Sequence, residues 1–174
     1  MLPCHFAAAT RRLAVLGVFG LVIACAGPRP APRSPITDRS GLVGAWDLVS
    51  VKTRWPDGRV TEPWGPAPVG RLAYGPTGSM TAVLMDARRN QADGHPVLVE
   101  VQANAAGYYG TYRVDPARHL VVHRVVASIR ASEAGTLERG YVINADTLVL
   151  TADALYEGSA VRHTLVWQRA PDGD

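Results

Sequence analysis

Cysteine and lysine are scarce in this 174-residue chain, and each scarcity excludes classes of function. The two cysteines, Cys4 and Cys25, lie near the N-terminus, so the rest of the chain has no disulfide, thiol nucleophile or cysteine-based metal site. Lys52 is the single lysine, whereas a phosphate-binding face needs clustered Lys and Arg. We therefore expect neither nucleic acid nor a cysteine-bound metal as a partner.

The formal net charge of +3 originates in the N-terminal region. The charged residues among the first 40 are Arg11, Arg12, Arg29, Arg33, Arg39 and Asp38. The remaining chain holds 13 Lys and Arg against 14 Asp and Glu, a net charge of −1. With 47% hydrophobic and 19% charged residues, the composition is that of a globular domain, and its near-neutrality gives no attraction to polyanions.

The first 24 residues have the organisation of a secretory signal peptide. Arg11 and Arg12 make the start positive, and Leu13–Ile23 is an apolar run of eleven residues. A membrane-spanning helix needs about 20 apolar residues, so this run is too short to cross a bilayer. The pattern predicts a leader over residues 1–24 that is cleaved, with an uncleaved anchor as the alternative.

The leader ends in Val22-Ile23-Ala24-Cys25, which resembles the bacterial lipobox. The resemblance implies attachment of diacylglycerol to Cys25, cleavage before it, and acylation of the new amino group. Stable anchoring needs at least two lipid chains, which this Cys25 would carry. Since Ala26 stands where an inner-membrane retention aspartate would lie, we expect the bacterial cell envelope, at the outer membrane facing the periplasm. A plain secreted protein is the alternative.

Residues 25–40 predict a tether that begins at the lipidated cysteine. Four prolines and three arginines interrupt it, and such a segment favours extended polyproline conformations of about 3.1 Å per residue. Its arginines can lie against anionic lipid headgroups. The tether therefore predicts a membrane partner through the lipid anchor, with the folded domain held at a distance.

Residues 41–170 predict one all-β domain of about eight antiparallel strands. Extended segments alternate with turn signals such as Pro56-Asp57-Gly58 and Pro76-Thr77-Gly78, a spacing typical of sandwiches and barrels. The predicted strands are Leu42–Thr53, Val69–Tyr74, Ser79–Met85, Tyr108–Val114, His119–Ala127, Leu137–Asn144, Thr147–Thr151 and Val161–Arg169. Asp86–Ala106 has little strand character and predicts a short helix or lid loop over Val97–Ala105.

Six short blocks resemble, in order, the lipocalin-like domain family of bacteria and fungi. These are Leu42–Ser50, Pro68–Tyr74, Gly78–Met80, Tyr109–Tyr112, Asp146–Leu150 and Leu165–Arg169. The resemblance implies a calycin-type antiparallel barrel around a central cavity, closed by a cation–π contact between Trp46 and Arg169. The sequence departs from the family at Ser128–Ala134, where members carry a Pro/Trp-containing segment and this chain has no aromatic residue.

Strand alternation indicates which side chains face the barrel interior. Trp46, Tyr74, Tyr112 and Trp167 each share the parity of an apolar set opposite polar neighbours, and His163 shares the face of Trp167. Tyrosines in a barrel suit a ligand with an apolar body and a polar tip. The candidate ligand-binding residues are therefore Tyr74, Tyr108, Tyr112, His163 and Trp167. Plain core packing is the alternative for the tyrosines, and a structural or rim position is the alternative for His163.

No catalytic or metal-binding arrangement is recognisable, and no cofactor is implied. His119 and His123 lie on one strand face about 13 Å apart, too far for one metal ion. Three hypotheses remain: a binding protein for a small, largely apolar molecule, an isomerase or cyclase that uses the barrel interior, and a structural envelope lipoprotein with a filled barrel. An open cavity favours the first two, and an interior filled with side chains favours the third.

Overall fold

The computed structural model describes residues 39–87, 105–156 and 158–171, which belong to one compact unit, Arg33–Asp174. A four-residue helix, α1, spans Arg39–Leu42. The strands are β1 Gly44–Arg54, β2 Val60–Thr61, β3 Val69–Tyr74, β4 Ser79–Met85, β5 Ala105–Asp115, β6 Leu120–Ser128, β7 Gly135–Asn144, β8 Thr147–Tyr156 and β9 Ser159–Arg169. A 3-10 turn, Ala131–Glu133, lies between β6 and β7.

Eight antiparallel strands close into a barrel. The strands from β3 to β9 pair with their neighbours in chain order, while β1 pairs with β3 on one side and with β9 on the other. Trp46 therefore lies between Leu72 and Arg169 across the closing seam. The two-residue β2 pairs with Thr53 and Arg54 at the C-terminal end of β1. The prediction of an all-β antiparallel barrel of about eight strands is confirmed.

Several predicted boundaries need correction. β5 begins at Ala105 and β8 continues to Tyr156, because the pairings of β4 with β5 and of β8 with β9 extend beyond the apolar runs. Leu42 lies in α1 rather than in the first strand, and β2 was not predicted. The predicted leader, Cys25, residues 25–38 of the tether, and all of the predicted helix or lid except Ala105 lie outside the described residues.

One glycine permits an irregularity that shapes the barrel wall. The register between β5 and β6 shifts between Tyr109 and Gly110, a local bulge. A Cβ atom at Gly110 would overlap the carbonyl oxygen of Arg124 on β6. A larger residue at this position would therefore push the two strands apart.

The interior is packed at the end of the barrel that carries α1. Leu42 of α1 is fully buried, as are Trp46 and Val121, and Tyr74, Tyr141 and Leu148 belong to the same core cluster. We call this region the packed half. No helix among the described residues is long and apolar enough to cross a membrane.

Candidate ligand-binding cavity

Toward the other end, the barrel interior contains a cavity of about 380 Å³. Connections at that end contribute to its wall, with Pro63 and Trp64 following β2 and Arg130 following β6. The apolar wall consists of Val51, Pro63, Trp64, Leu72, Ala82, Leu84, Leu150, Ala152, Leu165 and Trp167. The polar members are Tyr108, Arg130, Arg139, Tyr156 and His163. No carboxylate is present among the described residues of this wall.

The rim of the cavity combines an aromatic ring with a guanidinium group. The Cζ atom of Arg130 lies 5.9 Å from the ring centroid of Trp64, and its Nη1 lies 4.0 Å from Oε1 of Glu133. Arg130 belongs to Ser128–Ala134, the segment that lacks the family's aromatic residue. Here Trp64, from the connection between β2 and β3, supplies an aromatic ring beside that segment.

His163 is held by the hydroxyl group of a buried threonine. Its Nδ1 lies 2.9 Å from Oγ1 of Thr53, the residue opposite it on β1. His163 pairs in turn with Ala152 on β8, and the register of β7 and β8 places Arg139 beside Ala152. Burial, and secondarily the charge of Arg139, lower the pKa of His163, so its imidazole is uncharged at neutral pH.

A second histidine joins two tyrosines in the interior. His123 is fully buried, with Nε2 2.7 Å from the hydroxyl of Tyr74 and Nδ1 3.3 Å from the hydroxyl of Tyr108. Burial, followed by the charge of Arg139, lowers the pKa of His123 to about 3. Burial also raises the pKa values of Tyr74 and Tyr108, so this chain of three groups is neutral.

Three of the five predicted ligand-binding residues line the cavity: Tyr108, His163 and Trp167. Tyr74 and Tyr112 instead lie in the packed half, with ring centroids 4.5 Å apart. The hydroxyl of Tyr112 donates to the carbonyl oxygen of Gly75 at 3.0 Å, away from the cavity. Strand parity correctly placed both tyrosines inward, but parity does not specify the height of a side chain along the barrel.

Trp167, which lines the cavity, carries a buried polar atom without a partner among the described residues. The residue is 1% exposed, and its indole Nε1 has no hydrogen-bond partner among the described residues. A buried N–H group without a partner costs about 1–3 kcal/mol.

The contact implied between Trp46 and Arg169 is present at the closing seam. The Arg169 Cζ lies 4.1 Å from the Trp46 ring centroid, and the indole Nε1 donates to the carbonyl oxygen of Leu42 at 2.9 Å. The Arg169 guanidinium also donates to the carbonyl oxygens of Val43 and Gly41. These interactions join the last strand to the segment before β1, outside the cavity wall.

Among the described residues, no group of three side chains could hold a metal ion. His119 is exposed in the turn before β6, where its φ is 52°, whereas His123 is buried between tyrosines. Trp64, His123, Arg130 and Arg139 were not predicted as site residues. The inward parity of His123 and Arg139 was visible in the sequence, but their environment depends on neighbouring strands.

A closed eight-stranded antiparallel barrel with an internal cavity is the architecture of calycin-type barrels. The family model described as lipocalin-like domain matches residues 43–170. The chain therefore belongs to the lipocalin-like domain family, which confirms the resemblance found in the sequence. No curated protein matches the chain.

Proposed function

We propose that this protein binds one small, largely apolar molecule inside its barrel while a lipid on Cys25 tethers it to a bacterial membrane. The observation that supports binding is the cavity itself. Its volume of about 380 Å³ falls within the range of ligand sites, roughly 300–1,000 Å³. Ten of the fifteen residues that line it are apolar, which matches the hydrophobic body of such a ligand.

The alternative of a structural protein with a filled barrel is less well supported. Side chains fill the packed half of the barrel interior, but a cavity remains toward the other end. A structural barrel gains stability by filling its interior, since a void deprives the lining atoms of contacts. Here the small side chains of Ala82 and Ala152 face the cavity, where larger residues would fill it.

The isomerase or cyclase alternative has one supporting observation. Tyr108 reaches the cavity wall and is connected to His123 and Tyr74 behind it. General acid–base catalysis works best when the pKa of the group is near the operating pH. With a pKa of about 3, His123 takes up a proton poorly at neutral pH, so the arrangement favours hydrogen bonding to a ligand over proton transfer.

A substitution that places a larger side chain in the cavity tests the binding function. We expect the full chain to bind the neutral probe N-phenyl-1-naphthylamine saturably, with quenching of tryptophan emission. Ala152→Phe should abolish most of this binding because the added ring occupies the cavity. Its stability should fall by less than the roughly 1–3 kcal/mol that overpacking a filled core costs.

Ala127→Phe is the matched control, since Ala127 is exposed on β6. This variant should bind the probe as the wild type does. If the wild type ignores a panel of neutral apolar probes, and Ala152→Phe is strongly destabilised, the interior is filled in solution and the binding proposal is wrong.

Substitution of Cys25 tests the proposed lipid anchor. In a Gram-negative host, Cys25→Ser should abolish incorporation of labelled fatty acid and reduce the membrane-bound fraction. Cys4→Ser is the control and should leave both unchanged, because Cys4 lies within the predicted leader. Continued acylation of the Cys25→Ser chain would contradict the lipoprotein proposal.

A further inference from the structure

Two arginines on the outer surface of the barrel each bind a carboxylate. Arg71 binds Asp47 at 2.8 Å, and Arg162 binds Asp153 at 2.7 Å, in each case across neighbouring strands. Pairing across strands is the ordinary use of arginine on an exposed sheet face. An arginine that lines the barrel interior without such a carboxylate is in a different position, because burial makes an unpaired charge costly.

Arg139 is that residue. It lines the cavity, and no described carboxylate lies within salt-bridge distance of it. The polar groups that it contacts are the carbonyl oxygen of Glu138, at 3.2 Å, and the hydroxyl of Tyr108. The carboxylate of the adjacent Glu138 points outward and is bound by Arg118 at 3.1 Å. A partly buried cation without a counter-charge is costly, and an anion beside it would offset that cost.

The other polar groups of the cavity can also donate to an anion. Tyr108, whose side chain ends in a hydroxyl group, lies in the cavity wall. His163 uses Nδ1 with Thr53, which leaves Nε2 as its remaining ring nitrogen. Arg130 adds a second positive charge at the rim, although Glu133 lies beside it. The cavity thus combines an apolar wall with several donors and no described carboxylate.

We propose that the ligand is an apolar carboxylic acid whose carboxylate Arg139 binds inside the barrel and whose hydrocarbon body contacts the leucines of the wall. This inference rests on the proposed binding function and specifies its ligand class. A guanidinium binds a carboxylate with two parallel N–H···O bonds, a geometry that a neutral alcohol cannot reproduce.

Three probes of equal chain length separate head-group recognition from apolar binding. Octanoate, octanol and octylamine are titrated into the full chain in mild detergent, and apparent Kd values are obtained from the rise in unfolding temperature with concentration. For the wild type we expect octanoate to bind most tightly, then octanol, then octylamine. This order requires no substitution, so it is informative whatever the stability of the variants.

Arg139→Gln should weaken octanoate binding about tenfold to a hundredfold, the ratio that corresponds to loss of a charge-assisted hydrogen bond, and leave octanol binding unchanged. Arg139→Lys retains the charge and should recover part of the affinity. Arg124→Gln, at an exposed arginine of β6, is the matched control and should behave as the wild type.

Failure of this inference differs from failure of the proposed function. Equal binding of octanoate and octanol in both wild type and Arg139→Gln would overturn the carboxylate assignment and leave apolar binding intact. If no probe raises the unfolding temperature of the wild type, both the inference and the proposed function are contradicted.

Discussion

Replacement of Trp46 by alanine is expected to lower the free energy of unfolding by about 3–5 kcal/mol, the range for deletion of a buried tryptophan. Trp46 is fully buried where β1 meets both β3 and β9, so its loss leaves a void at the seam where β1 and β9 close the barrel. The substitution also removes the Arg169 stack and the hydrogen bond to Leu42. Urea unfolding of the full chain measures the effect.

Two further variants show that this effect depends on position and aromaticity. Val49→Ala, also on β1 but 50% exposed, should cost less than about 0.5 kcal/mol, as surface substitutions usually do. Trp46→Phe retains a ring face for Arg169 and should lose less stability than Trp46→Ala. A loss below about 1 kcal/mol for Trp46→Ala would contradict the closing role that we assign to this residue.

Acidification should destabilise the protein through His123. The pKa of this imidazole is about 3 in the fold, against about 6.5 in the unfolded chain. Because the unfolded state takes up a proton below pH 6.5 and the folded state does not, stability is lost as the pH falls from about 6.5 toward 3. Between pH 7 and pH 4 the loss from this group should be about 3 kcal/mol.

The contribution of His123 is isolated by comparison with His123→Gln, which can still donate and accept a hydrogen bond. All other titrating groups, including His163, are common to the two proteins, so their effects cancel in the difference. The free energy of unfolding of the wild type should fall by about 3 kcal/mol more than that of the variant between pH 7 and pH 4. Parallel pH profiles would show that His123 is not a buried neutral group.

The strands were predictable because their signals are local. Each of the eight barrel strands overlaps a predicted apolar or alternating segment, and turn residues separate several of them, as between β3 and β4, where Gly75–Gly78 forms the turn. Closure through β1 and β9 followed from the family resemblance rather than from periodicity. The two-residue β2 has no signal of its own, since it forms only by pairing with the end of β1.

The site was less predictable because it depends on how far along the barrel axis each side chain lies and on which side chains of other strands it contacts. Parity identified Tyr108, His163 and Trp167, which line the cavity, together with Tyr74 and Tyr112, which do not. No local pattern distinguishes an inward arginine with a carboxylate partner from one without. The exceptional position of Arg139 becomes visible only when all the strands around the interior are placed.

Intermolecular nuclear Overhauser effects between octanol and methyl-labelled leucines test most directly whether the cavity holds an apolar molecule. Octanol is neutral, so the result does not depend on the role of Arg139. If the cavity binds an apolar molecule, we expect contacts from the octanol chain to Leu72, Leu84, Leu150 and Leu165, which line the cavity. Contacts confined to Leu155, which is 80% exposed, or no contacts with any leucine, would contradict that binding.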